Sequence, residues 1–291
     1  MSKTLLVTGA AGQLGRHVVE ALLAAGGDKI VAGTRDPGKL ADFAARGVEV
    51  RRLDFDDAAS LAAGFAGVDR VLIVSTDAVD RPGRRLAQQT AAVAAAVKAG
   101  VKHIVYTSMP NPEPVSPIVF APDHFGTEQA IVASGIPHTI LRVSWYQENL
   151  KLALPGAFAG GQWFSAAGQG KVSHVARADV ALAAAAALKA ETTASATYDI
   201  TSGEAFTTEE IAALAAKAVG KPLKVVHVSD EQLLEGLKAH GLPAPVAAFV
   251  ACFDANTRAG RMPAPTDAVK RLTGKTPRRL ETYLSEHASE F

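Results

Sequence analysis

The chain of 291 residues has a single cysteine, Cys252, so it forms no internal disulfide and no cysteine-based metal cluster. No apolar run reaches the roughly 18 residues that a membrane-spanning helix needs, and an immediate N-terminal strand leaves no length for a signal peptide. The charges nearly cancel, with 30 basic and 29 acidic residues, which argues against nucleic acid or a membrane surface as partner. These absences predict a cytoplasmic protein with a small-molecule ligand.

Hydrophobic residues make up 48% of the chain and occur in short apolar runs that alternate with helical patterns. The predicted strands cover residues 5–7, 29–35, 48–53, 70–74, 103–107 and 139–142, and helices cover 15–25, 39–45, 58–65, 84–99 and 123–134. Continuous apolar strands that alternate with helices predict a parallel sheet covered on both faces. This is the Rossmann-type, doubly wound α/β fold, which binds ligands at the carboxyl ends of its strands.

Three glycines spaced three residues apart lie between the first predicted strand and the first helix, in the segment TGAAGQLG (residues 8–15). The first glycine permits a sharp turn off the strand, and the second lets a pyrophosphate approach the backbone N–H groups. The third lets the helix pack closely on the strand, so that the helix N-terminus faces the phosphates. The predicted dinucleotide contacts in this turn are Gly9, Ala11, Gly12, Gln13, Leu14 and Gly15.

The residue after the second predicted strand bears on the choice between NAD and NADP. NAD sites usually have an acidic residue about 20 positions past the last motif glycine, whereas this chain has Arg35 there. A guanidinium binds a 2′-phosphate through two hydrogen bonds, and Lys39 adds a nearby positive charge. We therefore expect NADPH (NADP) as the cofactor. The alternative is a solvated Arg35 that Asp36 partly neutralises.

Polar residues at the ends of the next strands extend the predicted cofactor site. Asp54 is placed to accept a hydrogen bond from the adenine amino group, and the Phe55 amide to donate to the ring. An alternative role for the acidic residues here is capping of the next helix by Asp56 or Asp57. Ser75 and Thr76 follow the fourth predicted strand, where the ribose and the nicotinamide would pass. Ser108 follows the fifth, where a hydroxyl can face the substrate carbonyl. For these hydroxyls an ordinary loop-start role is the alternative.

Further segments have sequences that occur together in one family. They are residues 8–15, 35–37, 47–51, 99–108, 124–128 (HFGTE), 135–137, 145–149 (WYQEN) and 166–171 (AAGQGK). With these segments nearly the whole chain resembles the NmrA-like atypical short-chain dehydrogenases/reductases. Within them it is similar to flavin-free NAD(P)H:quinone oxidoreductases and triphenylmethane reductases. The resemblance implies NADPH-dependent, two-electron reduction of quinones or other extended aromatic acceptors, without flavin or metal.

The Tyr-x-x-x-Lys pair of alcohol-oxidising short-chain dehydrogenases is absent, because residues 123–129 are DHFGTEQ. A ketone accepts hydride poorly without an acid beside its oxygen, whereas a quinone becomes aromatic and takes protons from water. Orientation of the reactants then supplies most of the catalysis. The candidate catalytic residues are His124 and Tyr146, as proton donors or as stacking and hydrogen-bonding partners. The resemblance places Glu128 in the pocket wall near the cofactor. A surface histidine and an exposed helix carboxylate are the alternatives.

From Trp145 onward the alternation loosens. Residues 155–169 predict a Gly/Ala-rich loop whose Phe158, Trp163 and Phe164 either line the acceptor site or form a seam between domains. An Ala-rich helix within residues 174–188 returns to the sheet. We therefore divide the chain into an NAD(P)-binding Rossmann domain over residues 1–150 and a smaller C-terminal substrate region, partly interleaved with the core, over 151–291.

Three functions are compatible with these observations. The first is an NADPH-dependent reductase of quinones or similar aromatic acceptors, with a homodimer as a candidate assembly. The second is a redox-sensing NmrA-like regulator that binds the dinucleotide and a partner protein without turnover, and the third is a reductase of another activated double bond. The chain departs from the related quinone reductases at residues 142–145 (RVSW), where they have an asparagine before glycine–tryptophan, and at Gln129, where they often have lysine.

Overall fold

The computed structural model describes residues 2–291 and contains a seven-stranded, entirely parallel sheet in the order β3-β2-β1-β4-β5-β6-β8. The first six positions follow the doubly wound order, whose switch point lies between β1 and β4. The strands are β1 (Thr4–Val7), β2 (Lys29–Thr34), β3 (Glu49–Arg52), β4 (Arg70–Ile73), β5 (His103–Ser108), β6 (His138–Val143), β7 (Gln162–Ser165), β8 (Ala196–Ile200) and β9 (Lys224–His227). This confirms the predicted fold class.

Helices connect the strands and cover both faces of the sheet. The α-helices are α1 (Gln13–Ala25), α2 (Ala41–Ala44), α3 (Ala58–Phe65), α4 (Arg84–Ala99), α5 (Ala121–Ala133), α6 (Leu154–Gly160), α7 (Arg177–Lys189), α8 (Thr208–Val219), α9 (Asp230–Ala239), α10 (Ala244–Arg258), α11 (Ala268–Thr273) and α12 (Leu280–Glu286). Short 3₁₀ helices cover Pro37–Leu40, Gln147–Leu152 and Ala288–Glu290. None of the helices within residues 2–291 combines the length and the apolar composition needed to cross a membrane.

Two apolar layers hold the sheet between its helices. On one face α1 and α7 pack against each other and against the strands, through residues such as Val18, Leu22 and Leu188. On the other face α3, α4 and α5 contribute residues such as Phe65 and Val93. All residues of β4 and β5 are buried because both faces of these central strands are covered, which explains the apolar runs at residues 71–73 and 104–106.

The second half of the chain contributes to the same sheet. Strand β8 pairs in parallel with β6, and α7 covers the face next to α1. A separate apolar cluster joins the segment after β6 to α8 and α12, with Leu154, Ile211 and Leu284 at its centre. The predicted return of the Ala-rich helix to the sheet is therefore confirmed. The division of the chain at residue 150 stays a prediction.

The prediction of a loop over residues 155–169 is wrong. This segment contains most of α6 and all of β7, and β7 pairs in parallel with β9 in a second, two-stranded sheet. Gly161, with φ of 67°, ends α6 in the left-handed conformation that glycine tolerates best. Phe158 and Trp163 pack against the cluster of α8 and α12, whereas Phe164 is exposed. Two of the three aromatic side chains therefore belong to the core of the C-terminal region.

Candidate functional site

The glycine turn, residues 8–15, leaves the carboxyl end of β1 at the switch point of the sheet. Gly9 has φ of 59°, and the Gly12 N–H donates to the Gly9 carbonyl oxygen over 2.9 Å. A Cβ on Gly15 would lie 2.7 Å from the Ala10 Cα, inside contact distance, so only glycine permits α1 to begin here. The turn therefore has the close strand–helix packing that the sequence predicted.

Within residues 2–291 no side chain caps the N-terminus of α1. Its N-cap residue is Gly12, which has no side chain to cap the helix, and no acidic residue lies in the first turn. Gly12 and Gln13 are exposed, Ala11 is half-buried, and Leu14 faces the core. Since the first N–H groups of a helix lack internal partners and carry a partial positive charge, this end suits a phosphate.

Arg35 is exposed directly after β2, on the same edge as the glycine turn. The two segments are joined by a hydrogen bond from the Ala10 N–H to the Gly33 carbonyl oxygen, of 2.9 Å. Asp36 does not neutralise this arginine, because its carboxylate accepts from the Gly38 N–H and caps the following 3₁₀ helix. Among residues 2–291 Arg35 forms no ion pair, so its guanidinium remains available to an anion.

In the acidic segment after β3, Asp54 and Asp57 have different roles. Asp57 is the N-cap of α3, and its carboxylate accepts from the N–H groups of Ala59 and Ser60 at 3.0 and 3.1 Å. Asp54 is half-buried, and one of its carboxylate oxygens accepts from the Asp56 N–H. The predicted cap is therefore confirmed at Asp57. The second oxygen of Asp54 lies 3.8 Å from the Arg52 guanidinium, and half-buried Phe55 follows it in the chain.

Two buried hydroxyls at the carboxyl edge of the sheet lack hydrogen-bond partners in the part of the chain that the structure describes. They are Thr76 Oγ1, after β4, and Ser144 Oγ, after β6; Ser144 is 1% exposed. Between them, the Ser75 N–H donates to Thr107 Oγ1 over 2.9 Å. Buried polar groups are normally paired. Their position at the switch-point edge matches the ribose and carboxamide groups of a nicotinamide nucleotide, so the residues present fit such a cofactor.

Glu128 lies inside a buried polar network rather than on the surface. Ser108 Oγ donates to its carboxylate over 2.6 Å, and Arg142 donates through two nitrogens at 3.1 and 2.7 Å. The parallel register of β5 and β6, which sets Ser108 beside Arg142, brings the three side chains together. Because the Ser108 proton is directed to Glu128, this hydroxyl can only accept a hydrogen bond from a ligand.

His124 lies on α5 in a one-directional chain of hydrogen bonds. Arg85, which can only donate, binds His124 Nε2 at 2.8 Å, so the proton of the neutral ring is on Nδ1. Nδ1 donates to the Tyr106 hydroxyl, which in turn donates to Gln89. Burial lowers the pKa of His124 well below its usual range. A neutral ring with both nitrogens engaged is a poor proton donor to a substrate, and at 3% exposure it is not a surface histidine.

Tyr146 follows β6 and is half-buried, with its hydroxyl bound to no other group among residues 2–291. Burial raises the pKa of this phenol to about 12, so it keeps its proton at physiological pH. The Arg177 guanidinium lies over the ring, 4.6 Å from its centroid, and holds it in place. Of the two predicted catalytic residues, Tyr146 alone has a free hydrogen-bond donor.

Four aromatic side chains converge beside this edge, of which only Trp145 was named from the sequence, as part of the segment 145–149. This aromatic cluster consists of Phe120 before α5, Trp145 after β6, and Phe249 and Phe253 of α10. Its ring centroids lie 4.9–6.1 Å apart. The spacing of four residues between the α10 phenylalanines indicates a common helix face. No local signal indicates, however, that this face meets the loops after β5 and β6.

Fold and site together define a nucleotide-binding protein of the doubly wound α/β class, with an open phosphate turn and an adjoining aromatic face. A model of the NmrA-like family matches residues 1–284, and the chain belongs to that family. This confirms the resemblance that the sequence motifs indicated.

Three comparisons with known proteins are informative. The chain is 35% identical over 271 residues to quinone oxidoreductase 2 of Escherichia coli (strain K12), covering 93% of each chain. The structure of an NADPH-dependent quinone oxidoreductase of Escherichia coli complexed with NADPH matches with a TM-score of 0.91 and 34% identity, over 97% of this chain and 99% of that one. The triphenylmethane reductase of Citrobacter sp., complexed with NADP(H), matches with a TM-score of 0.90 and 33% identity, over 98% and 99% of the two chains.

Proposed function

We propose that this chain is an NADPH-dependent reductase that transfers hydride to quinones or similarly conjugated aromatic acceptors, without flavin or metal. The carrying observation is that His124 and Glu128 of α5 are both engaged inside the protein: His124 with Arg85 and Tyr106, and Glu128 with Ser108 and Arg142. Neither of these two residues is therefore free to act as the catalytic acid that this helix supplies in alcohol dehydrogenases. This favours acceptors that need no strong acid. The similar proteins are named as a quinone oxidoreductase and a triphenylmethane reductase, which agrees with such acceptors.

The placement of each group supports the following cofactor roles. The glycine turn and α1 hold the pyrophosphate through Gly9, Ala11, Gly12, Gln13, Leu14 and Gly15, by backbone N–H groups and close approach. Arg35 binds the 2′-phosphate, and Asp54 with Phe55 binds adenine. Ser75, Thr76 and Ser108 border the ribose and nicotinamide, with Glu128 orienting that wall through Ser108.

The reaction converts a quinone, NADPH and one proton into a hydroquinone and NADP⁺. Bound NADPH supplies the hydride, which carries two electrons. Tyr146 donates a hydrogen bond to the acceptor oxygen as negative charge develops there, and the proton that completes the hydroquinone comes from water. His124 acts as a positioning residue, because its ring ties α4 and α5 to β5. Catalysis then depends mainly on holding the two flat reactants in contact.

A panel of acceptors tests the function directly. Purified protein is mixed with NADPH and 1,4-benzoquinone, 1,4-naphthoquinone or an unactivated ketone such as cyclohexanone, and NADPH absorbance is followed. We expect oxidation with the quinones and none above background with the ketone. Tight NADPH binding without oxidation by any acceptor would instead support a dinucleotide-sensing regulator. Rapid ketone reduction would contradict the argument from the engaged α5 residues.

The Tyr146→Phe variant tests the hydrogen-bond donor. Because the lost interaction strengthens in the transition state, we expect kcat to fall while KM changes little. Tyr198 provides a matched control, since it is also partly buried beneath an arginine, Arg271, at 5.6 Å. We expect the Tyr198→Phe variant to have the same kcat as the wild type. An unchanged kcat in Tyr146→Phe would assign acceptor polarisation to another group.

The partners of the chain follow from its charge and its site. Thirty basic and 29 acidic residues leave little net attraction for nucleic acid, which supports a small aromatic or quinone substrate. A homodimer remains a prediction, and sedimentation velocity over a range of protein concentrations tests it. A single monomeric species at all concentrations would contradict it.

A further inference from the structure

The aromatic cluster borders the place where the proposed function puts the acceptor. Met109 directly follows β5, and it packs with Phe120, Trp145 and Phe253 in one apolar group. Trp145 lies two residues beyond β6, next to Ser144. Strands β5 and β6 are hydrogen-bonded neighbours, so these residues all lie at the same carboxyl edge as Ser108. The cluster is therefore an extension of the cofactor edge.

The four rings differ from the hydrophobic core in their exposure. Phe120, Trp145, Phe249 and Phe253 are all partly exposed, although the neighbouring Met109 is 2% exposed. Phe249 and Phe253 lie one turn apart on α10, and their centroids are 5.4 Å apart. Helix α10 packs against α9, and its Asp254 accepts from the Ser165 hydroxyl and the Ala166 N–H at 2.9 and 2.7 Å. Rings that meet both the edge and solvent suit a flat ligand.

One polar atom within this apolar surface has no partner. Trp145 Nε1 is buried and forms no hydrogen bond among residues 2–291. A buried indole N–H normally finds an acceptor. An unpartnered donor beside four rings has the composition of a site for an aromatic ligand that carries oxygen atoms.

We propose that the aromatic cluster is the acceptor-binding face, and that Phe249 and Phe253 select acceptors with two or more fused or linked rings over single-ring quinones. The proposal rests on the reductase function proposed above. The quinone ring beside the cofactor receives the hydride, and the second ring packs against the two phenylalanines of α10. A single-ring quinone lacks the part that reaches them.

Leucine substitutions at these positions test the selection. Phe249→Leu and Phe253→Leu keep an apolar side chain and remove the ring. One aromatic pair is worth a factor of roughly 2 to 10 in affinity. We therefore expect kcat/KM for 1,4-naphthoquinone to fall by that factor in each variant, while kcat/KM for 1,4-benzoquinone changes less than twofold. Phe164→Leu is the matched control, because Phe164 is 48% exposed on β7 and lies outside the cluster.

The ratio of the two kcat/KM values decides the outcome. A ratio that stays constant in both α10 variants, or that falls equally in Phe164→Leu, overturns the proposal. An unchanged NADPH affinity in each variant shows that the fold and the cofactor site are intact. A wild-type enzyme that reduces neither quinone defeats the proposed function, and a binding measurement then decides the inference by itself.

That measurement uses tryptophan fluorescence. The chain has two tryptophans, so Trp163→Phe leaves Trp145 as the only one. With NADP⁺ bound, no hydride is available and no turnover occurs. We expect 1,4-naphthoquinone to quench Trp145 saturably, and Phe253→Leu to weaken this binding by the same factor as above. Quenching that never saturates, or that Phe253→Leu does not change, overturns the proposal.

Discussion

Replacing Arg35 with alanine removes an exposed cation that has no ion-pair partner within residues 2–291. The change leaves the fold intact, because the guanidinium holds no other element in place. Asp36 keeps its own role, capping the 3₁₀ helix through the Gly38 N–H. The substitution therefore isolates the interaction between Arg35 and the 2′-phosphate that distinguishes NADPH from NADH.

The expected magnitude follows from the charge-assisted hydrogen bonds that would be lost. Because Arg35 is exposed to solvent, we take the whole interaction as worth about 1.5–3 kcal/mol, the value of one such bond, and about 1.4 kcal/mol corresponds to a factor of ten. NADPH affinity should therefore fall roughly 10- to 150-fold in Arg35→Ala, while NADH affinity stays nearly constant. Because the site is open to solvent, added salt should weaken NADPH binding to the wild type more than to the variant.

Titration of both dinucleotides by fluorescence, at low and high salt, measures these constants. Arg35→Lys keeps the charge without the planar fork, so it should lose only part of the preference. Arg271→Ala is the control, since Arg271 is an exposed arginine on α11 that lies over Tyr198. Equal losses of NADPH and NADH affinity in Arg35→Ala would refute the assignment of the 2′-phosphate to this residue.

Three further predictions concern stability. Gly15→Ala should lower the free energy of unfolding in urea by about 1–3 kcal/mol through overpacking of the turn. Gly156→Ala is the control and should not lower it, because no atom lies within 4 Å of the added Cβ. Equal effects of the two substitutions would contradict this. Burial lowers the pKa of His103 and of His174 from 6.5 to about 4, so the unfolded chain binds more protons below pH 6.5. The free energy of unfolding should fall between pH 6.5 and pH 4, by up to about 3 kcal/mol per histidine, and these two groups add no further loss at lower pH. The double variant to glutamine should have a smaller slope, the remainder coming from His124, whose pKa burial also lowers; a slope equal to that of the wild type would assign the loss elsewhere. Glu128→Ala leaves the partly buried Arg142 guanidinium with Glu113, 3.2 Å away, as its remaining carboxylate, and should cost about 1–3 kcal/mol, measured by urea unfolding. A loss below about 1 kcal/mol would show that solvent replaces the pair.

Local patterns were sufficient to predict the nucleotide-binding half of the site. The glycine spacing before α1 constrains only residues close in sequence, and Gly15 indeed meets Ala10 as the pattern requires. The buried strands β4 and β5 have apolar sequences whatever their partners are. The Asp57 cap acts on N–H groups two and three residues ahead. Such short-range interactions are encoded in neighbouring residues, so the sequence reveals them.

The loop predicted at residues 155–169 shows where this reasoning ends. Strand β7 has only four residues, and it is a strand because it pairs with β9, about sixty residues later in the chain. Its aromatic residues suit either a ligand wall or a core. The choice depends on the surfaces of α8 and α12, against which Phe158 and Trp163 pack.

The sequence by itself determined the doubly wound fold, the phosphate turn and the position of Arg35, because each depends on residues adjacent along the chain. Tertiary structure decided what the remaining polar residues can do. Arg85 on α4 makes His124 a hydrogen-bond acceptor, and the β5–β6 register joins Ser108, Glu128 and Arg142. It also decided that α10 lies against the loops after β5 and β6. Burial and long-range contact set protonation and accessibility, and neither is a property of a residue type.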